Sequence, residues 1–328
     1  MTFNDLIGNN AVKFQLQTMF VTNKIPHAIL IDRAKGLGKK TLANIIAQAA
    51  VCTDLSDGLA CGSCSSCKKA HKNIHPDIIY PEKSGVLQSY NIATVRQIRA
   101  DAYIAPNEAS KKVYIFTDVD NMGIPAQNAI LKVLEEPPAK VIFVFTCISS
   151  SSLLQTVRSR LQQFSLRPVS QVDLQQYLEQ NCTENDNKNL TEIACLANGN
   201  IGFALDLITS SDLKSTVNIA NEIAQNLVSA REFDLISSVA KVSDDRKKFA
   251  NVLNFLEAIL KEALFLASDV NLNKDNISKT LSEKLSPKQL LKIIGVVDET
   301  KKHLNKNVNA SIATSFFCSN LYRFAFYA

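Results

Sequence analysis

The chain has 328 residues, more than one hydrophobic core usually supports, so two or three domains are expected. Hydrophobic residues make up 46% and charged residues 20%, with 10 glycines and 9 prolines, which excludes a disordered or fibrous protein and indicates a helix-rich globular one. The net charge of +5 falls short of a dedicated nucleic-acid binder, and no apolar run or signal-like start (MTFNDLIGNN) calls for a membrane, so a cytoplasmic protein without membrane contact is expected.

From Phe3 to about Ala50 the pattern predicts helix, short strand, loop and helix. The apolar run His27-Ala28-Ile29-Leu30-Ile31 enters Lys35-Gly36-Leu37-Gly38-Lys39, and a helical segment follows from Thr41. The loop resembles the phosphate-binding pattern G-x-x-x-x-G-K-[ST], in which backbone N–H groups surround phosphates and the hydroxyl ligates magnesium. Here the pattern is broken twice: Arg33 stands at the leading glycine and Lys40 at the hydroxyl, with Thr41 one residue late. Gly36, Gly38 and Lys39 are the remaining phosphate-binding candidates, and ATP binding is expected to be weak or absent. Both a scaffold turn and residual phosphate binding through Lys39 fit this loop.

Four of the 8 cysteines, Cys52, Cys61, Cys64 and Cys67, form C-x8-C-x2-C-x2-C. Without a secretory signal a disulfide framework is disfavoured, and the two C-x2-C steps predict a closed, structural zinc site with no open position for an activated water. A redox C-x-x-C couple is the rival reading. His71 and His75 are substitute ligands or, more simply, solvated surface histidines.

Further runs, Ile78-Ile79-Tyr80, Val113 to Phe116 and Val141 to Phe145, read as strands buried on both faces. Helical patterns over Ile92 to Tyr103 and Ala126 to Glu136 separate them, the second stopped by Pro137-Pro138. Alternation of this kind predicts a parallel α/β sheet. A hydrolysing P-loop protein needs an acidic pair after a later strand. The candidate strand is followed by Thr117-Asp118-Val119-Asp120, where no adjacent pair exists and Asp118 and Asp120 suit turn or cap roles. Arg158-Ser159-Arg160 ends the polar loop Ser149 to Thr156; an arginine there is either solvated or presented to a neighbouring subunit's nucleotide.

After Arg167-Pro168, short helices are predicted over Val169 to Gln180, Leu190 to Ala197 and Ala204 to Ile208, around Gly199 and Gly202, with a polar loop at Thr183 to Asn189. From about Leu213 only helical periodicity remains, as in Phe249, Val252, Leu253, Leu256 and Ile259, with loops at Asp269 to Asn276 and Ser286-Pro287. The expected domains are an α/β domain over 1–167 carrying the cysteine module at about 52–67, a small helical lid over 168–212 and a helical domain over 213–328.

Taken together, Asp5-Leu6-Ile7-Gly8, Pro26-His27-Ala28, the cysteine module, the stretch from Asn128 through Leu131, Glu135 and Glu136 to Pro138, and Ser159-Arg160-Leu161 resemble the gamma/tau and delta-prime family of bacterial DNA polymerase III clamp-loader subunits. The resemblance implies an AAA+ fold, with a RecA-like sheet domain, a lid and a C-terminal collar. The family's Ser-Arg-Cys motif implies that Arg160 is an arginine finger acting in trans, although Leu161 replaces the cysteine. Ungapped counting from Asn128 puts Thr117 at the metal-binding aspartate and Asp118 at the catalytic glutamate; a one-residue shift would put Val119 at the glutamate. The lid motif G-x-x-R reads Gly199-Asn200-Ile201-Gly202, without its arginine. This pattern resembles the ATPase-deficient delta-prime stator more than the gamma/tau motor, as does the absence of a long tau-type extension. The implied partners are gamma/tau and delta subunits bound through the collar, where Asn307-Val308-Asn309 and the helix through Phe316, Leu321 and Phe324 resemble a closing element. The sliding clamp and primed DNA would be met through the complex. An active gamma/tau-type ATPase and a zinc-dependent DNA-binding protein are the alternatives.

Overall fold

The computed structural model describes residues 3–85, 88–182, 190–229, 232–267, 276–305 and 308–326. The predicted loop at 183–189, nearly all of that at 269–276, and Asn307 lie outside the described residues. Two compact units are formed, 1–204 and 205–328.

In the first unit, α1 (Asn10–Val21) leads to β1 (Ala28–Asp32) and α2 (Lys39–Val51). The hairpin β2 (Leu55–Ser56) and β3 (Leu59–Ala60) follows, then α3 (Ser65–His71), β4 (Ile78–Ile79) and α4 (Ile92–Ala102). Next come β5 (Lys112–Phe116), α5 (Ile124–Glu135), β6 (Val141–Cys147), α6 (Gln155–Arg158) and β7 (Gln162–Ser165). The helices α7 (Gln171–Asn181) and α8 (Leu190–Ala197) follow, and α9 (Ile201–Thr209) begins in this unit and ends in the second.

Five strands form one parallel sheet in the order β4-β5-β6-β1-β7. The strands β1, β5 and β6 are buried along their whole length, as continuous apolar runs require in a sheet covered on both faces. Alternation then divides them. Ile29, Ile31, Val113, Ile115, Ile142 and Val144 face Leu42 and Ile46 of α2 together with Leu16 and Phe20 of α1. On the other face Leu30, Tyr114, Phe116, Phe143 and Phe145 meet Val95 of α4 and Ile130 and Val133 of α5. Stacked rings, Tyr114 on Phe143 at 5.2 Å and Phe116 on Phe145 at 5.1 Å, tie β5 to β6.

Several local expectations are corrected. The helix expected from Thr41 begins at Lys39, directly behind Gly38, whose φ of 88° turns the chain into it. The helix expected from Ala126 begins at Ile124, with a proline in its first turn where a missing N–H costs nothing. The polar stretch 149–156 is not a plain loop: it holds a 3-10 turn over Ser150–Ser152 and the start of α6. Edge strand β7 was not foreseen, because in Gln-Gln-Phe-Ser only Phe164 is buried. Gly202 lies inside α9 and not between helices.

The second unit contains α10 (Ser211–Ser229), α11 (Glu232–Ala240), α12 (Arg246–Leu266), α13 (Asn276–Lys284), α14 (Pro287–Asn305) and α15 (Ala310–Phe326). The predicted stripe Phe249, Val252, Leu253, Leu256 and Ile259 is the buried face of α12, and Phe249 meets Phe317 edge to face at 5.7 Å. Leu321 is fully buried, whereas Phe233, Phe265, Leu291 and Ile312 remain largely exposed.

Candidate functional site

The C-terminal ends of β1, β5 and β6 meet around the loop 33–38, where a parallel sheet ordinarily presents a ligand. Arg33, standing where the motif has glycine, adopts φ 126°, a region that strains any side chain with a Cβ. The Lys39 side chain is buried and its Nζ donates to the carbonyls of Arg33, at 2.5 Å, and Ala34, at 2.9 Å. Burial lowers its pKa below the ordinary lysine range, against the opposing pull of Asp118, Asp120 and Asp32. The ammonium that would meet a phosphate is thus held on the loop's own backbone.

The loop is also covered. Asn200 donates through Nδ2 to the Lys35 carbonyl at 2.8 Å, while its Oδ1 accepts the Phe203 N–H at 3.0 Å at the start of α9. The Gly202 N–H donates to the Gly36 carbonyl at 2.9 Å. A Cβ on Gly36 would lie 2.1 Å from Asn200 Oδ1, and one on Gly202 would lie 2.6 Å from the Gly36 Cα. Gly202 is therefore required by the approach of backbone to backbone, while at Gly36 the φ of 88° favours glycine and the atom met is the Asn200 side chain.

Thr117, at the end of β5, is held by Tyr90, whose hydroxyl accepts the Thr117 N–H at 2.8 Å and donates to its carbonyl at 3.0 Å. Asp118 has φ 51° and its carboxylate meets Lys83 at 3.1 Å and Lys40 at 3.7 Å. Burial works against ionisation there, yet these lysines keep the carboxyl below the usual carboxylate range. Lys40, at the hydroxyl's position, therefore adds a second cation to this carboxylate. Asp120 caps the strand end of β6 by accepting the N–H groups of Ile148 at 2.9 Å and Ser149 at 3.2 Å. Thr41 lines a separate cleft of about 670 Å³ with Asp5, Ile7, Asp173 and Tyr177.

Cys52, Cys61, Cys64 and Cys67 come together from the end of α2, the β3 strand end and the start of α3. All four sulfurs lie within 4.8 Å of one another. The separations Cys52–Cys61 3.7 Å, Cys52–Cys64 4.0 Å and Cys61–Cys67 4.0 Å fit the roughly 3.8 Å edge of a tetrahedron with metal–sulfur bonds of about 2.3 Å. Backbone N–H groups of Cys61, Cys64 and Cys67 point at the sulfurs of Cys52, Cys61 and Cys64, an arrangement that stabilises thiolates. The donor set and its spacing fit zinc. The histidines are not part of it. The reading of His75 as a solvated surface residue is corrected: it is buried, and its Nδ1 accepts the Asp77 N–H at 3.1 Å, while His71 is exposed.

Arg160 follows α6 and is partly exposed. Its Nη1 donates to the Thr156 carbonyl at 2.7 Å, and its Nη2 pairs with Glu135 at 2.8 Å. Arg158 is exposed. Sequence reading missed Lys83, Tyr90 and the contacts of Asn200 and Glu135, because each is joined to its partner only by the fold; Asn200 alone carried a local signal, as a helix-capping residue type.

Residues 8–170 match the sequence profile described as DNA polymerase III, delta subunit. The DNA polymerase III subunit gamma of Buchnera aphidicola subsp. Schizaphis graminum is 27% identical over 79% of this chain and 72% of its own length. The tau subunit of Bacillus subtilis is also 27% identical over 79% of this chain, which spans only 46% of that protein. A gamma subunit-related protein from Thermotoga maritima superposes with a TM-score of 0.47 at 13% identity, covering 95% of this chain and 99% of that one. The fold is a five-stranded parallel sheet with helices on both faces, followed by a helical C-terminal region. The profile and the sequence relatives are all DNA polymerase III subunits, named delta, gamma and tau, and these are what the chain is similar to.

Proposed function

We propose that this chain, a relative of the DNA polymerase III clamp-loader subunits, is its delta-prime-type stator: it does not hydrolyse ATP, and it presents Arg160 to a nucleotide on a neighbouring gamma/tau-type subunit. One observation carries the first half. The loop that would hold phosphates is satisfied internally, with Lys39 on the Arg33 and Ala34 carbonyls and Asn200 on Lys35. A triphosphate would have to displace these bonds and then meet Lys40 where a metal ligand is needed. The partly exposed position of Arg160 beside α6 supports the second half, since a finger acts outside its own chain.

In this reading residues 168–212 are the lid and 213–328 the collar, whose exposed Phe233, Leu291 and Ile312 are suited to burial against neighbouring subunits. The cysteine cluster is a structural zinc site. Through the assembled loader the protein would help place a sliding clamp on primed DNA.

The names of the sequence relatives favour a second reading, an active gamma/tau-type ATPase. The two separate cleanly. The stator reading expects no ATPase above background from the purified chain, and DNA-stimulated turnover of the reconstituted loader that falls on Arg160→Ala but not on Lys39→Ala. Magnesium-dependent hydrolysis by the isolated chain, lost on Lys39→Ala, would instead establish the motor. Turnover unchanged by Arg160→Ala would remove the finger.

A further inference from the structure

Glu135 is the last residue of α5 and is followed by Glu136. Two carboxylates at the negative end of a helix dipole are unfavourable placements, so some local partner must offset them. For Glu135 that partner is Arg160, with Nη2 at 2.8 Å from Oε1. Both side chains are substantially exposed, 36% for the arginine and 47% for the glutamate, and an exposed pair contributes little to fold stability. Its effect is on orientation. The guanidinium is held from two sides, by the Thr156 carbonyl on Nη1 at 2.7 Å and by Glu135 on Nη2, with Ser159 Oγ 3.5 Å from Nη1.

A guanidinium has five donors in a fixed planar fork, so two anchors on different nitrogens fix its plane and leave further N–H groups for an external anion. An unanchored arginine on a surface samples many rotamers, and a group that must meet a phosphate in trans loses effectiveness with each. We infer that Glu135 is the positioning residue of Arg160, setting the plane in which the guanidinium is offered to a neighbour's phosphate. This rests on the trans-acting role proposed above for Arg160.

The test is a double-mutant cycle in the reconstituted loader, read as kcat and KM for ATP in DNA-stimulated hydrolysis. Glu135→Ala is expected to lower kcat at the site Arg160 serves by about tenfold, with KM unchanged. Glu135→Gln, which keeps an oxygen acceptor at Oε1, should regain most of it. The Glu135→Ala/Arg160→Ala pair should be no slower than Arg160→Ala alone, because residues acting as a unit are not additive. If Arg160→Ala slows turnover while Glu135→Ala leaves it unchanged or raises it, the positioning role is overturned and the finger stands; Glu135→Gln falling as far as Glu135→Ala overturns it too. If Arg160→Ala itself has no effect, the underlying reading has failed instead.

Discussion

The cysteine module and the loop 33–41 adjoin the two ends of one helix, α2, and both look like binding motifs. They have met opposite fates. In the module every donor is retained and turned toward its companions, with the four sulfurs within 4.8 Å and three backbone N–H groups supporting them. In the loop and beside it the polar groups survive in part but are already paired: Lys39 donates to its own backbone, the Gly36 carbonyl accepts from the Gly202 N–H, and the neighbouring Asp118 pairs with Lys83 and Lys40. A motif keeps its chemistry only while its polar groups stay free for a ligand; once the fold satisfies them, the same residues become structure.

The largest effect should come from the module. Cys64→Ser, or chelation of the unmodified protein, should abolish a one-to-one zinc content measured by elemental analysis and lower the midpoint of thermal unfolding, because zinc binding free energy is folding free energy at a structural site. A protein that holds no zinc and unfolds at the same temperature as Cys64→Ser would break the comparison.

A smaller effect is expected at the cover of the loop. Gly202→Ala adds a Cβ 2.6 Å from the Gly36 Cα, so backbone must move, and a loss of about 1–3 kcal/mol in denaturant unfolding is expected. If Gly202→Ala is neutral, the loop is not sealed and its nucleotide affinity should be measured again in that variant.

The smallest effect is electrostatic. The folded-state pKa of Asp118 lies below its unfolded value, so its contribution is complete at neutral pH and is lost as pH falls below about 4, through the folded value. Asp118→Asn should thus be slightly less stable than the unmodified protein at pH 7, by at most about 0.5 kcal/mol given the group's exposure. The gap should close on acidification, and a gap that widens toward low pH would contradict the pairing with Lys83 and Lys40.

Much of the architecture was legible because it depends on local pattern. Apolar runs such as Val113 to Phe116 cannot be solvated and so become buried strands, and the C-x2-C steps bring thiols together from one short turn. The edge strand β7 and the hairpin β2–β3 were not legible, since strands this short, whether polar as in β7 or only two residues long as in β2 and β3, are made by their neighbours' hydrogen bonds and not by their own pattern. His75 went unread as a buried residue for a similar reason: its enclosure comes from the packing around it, beside Asp77, whose carboxylate accepts backbone N–H groups of Asn107, Glu108 and Ala109 thirty residues away.

By itself the sequence determined the parallel sheet, the helical second half, the cysteine constellation and the damage to the phosphate loop at Arg33 and Lys40, because each follows from residue type and short spacing. Only the tertiary structure decided where the surviving groups point. That Lys39 faces inward, that Asn200 and Gly202 cover a loop more than 160 residues earlier, and that Glu135 grips Arg160 are long-range pairings, and no local periodicity encodes them.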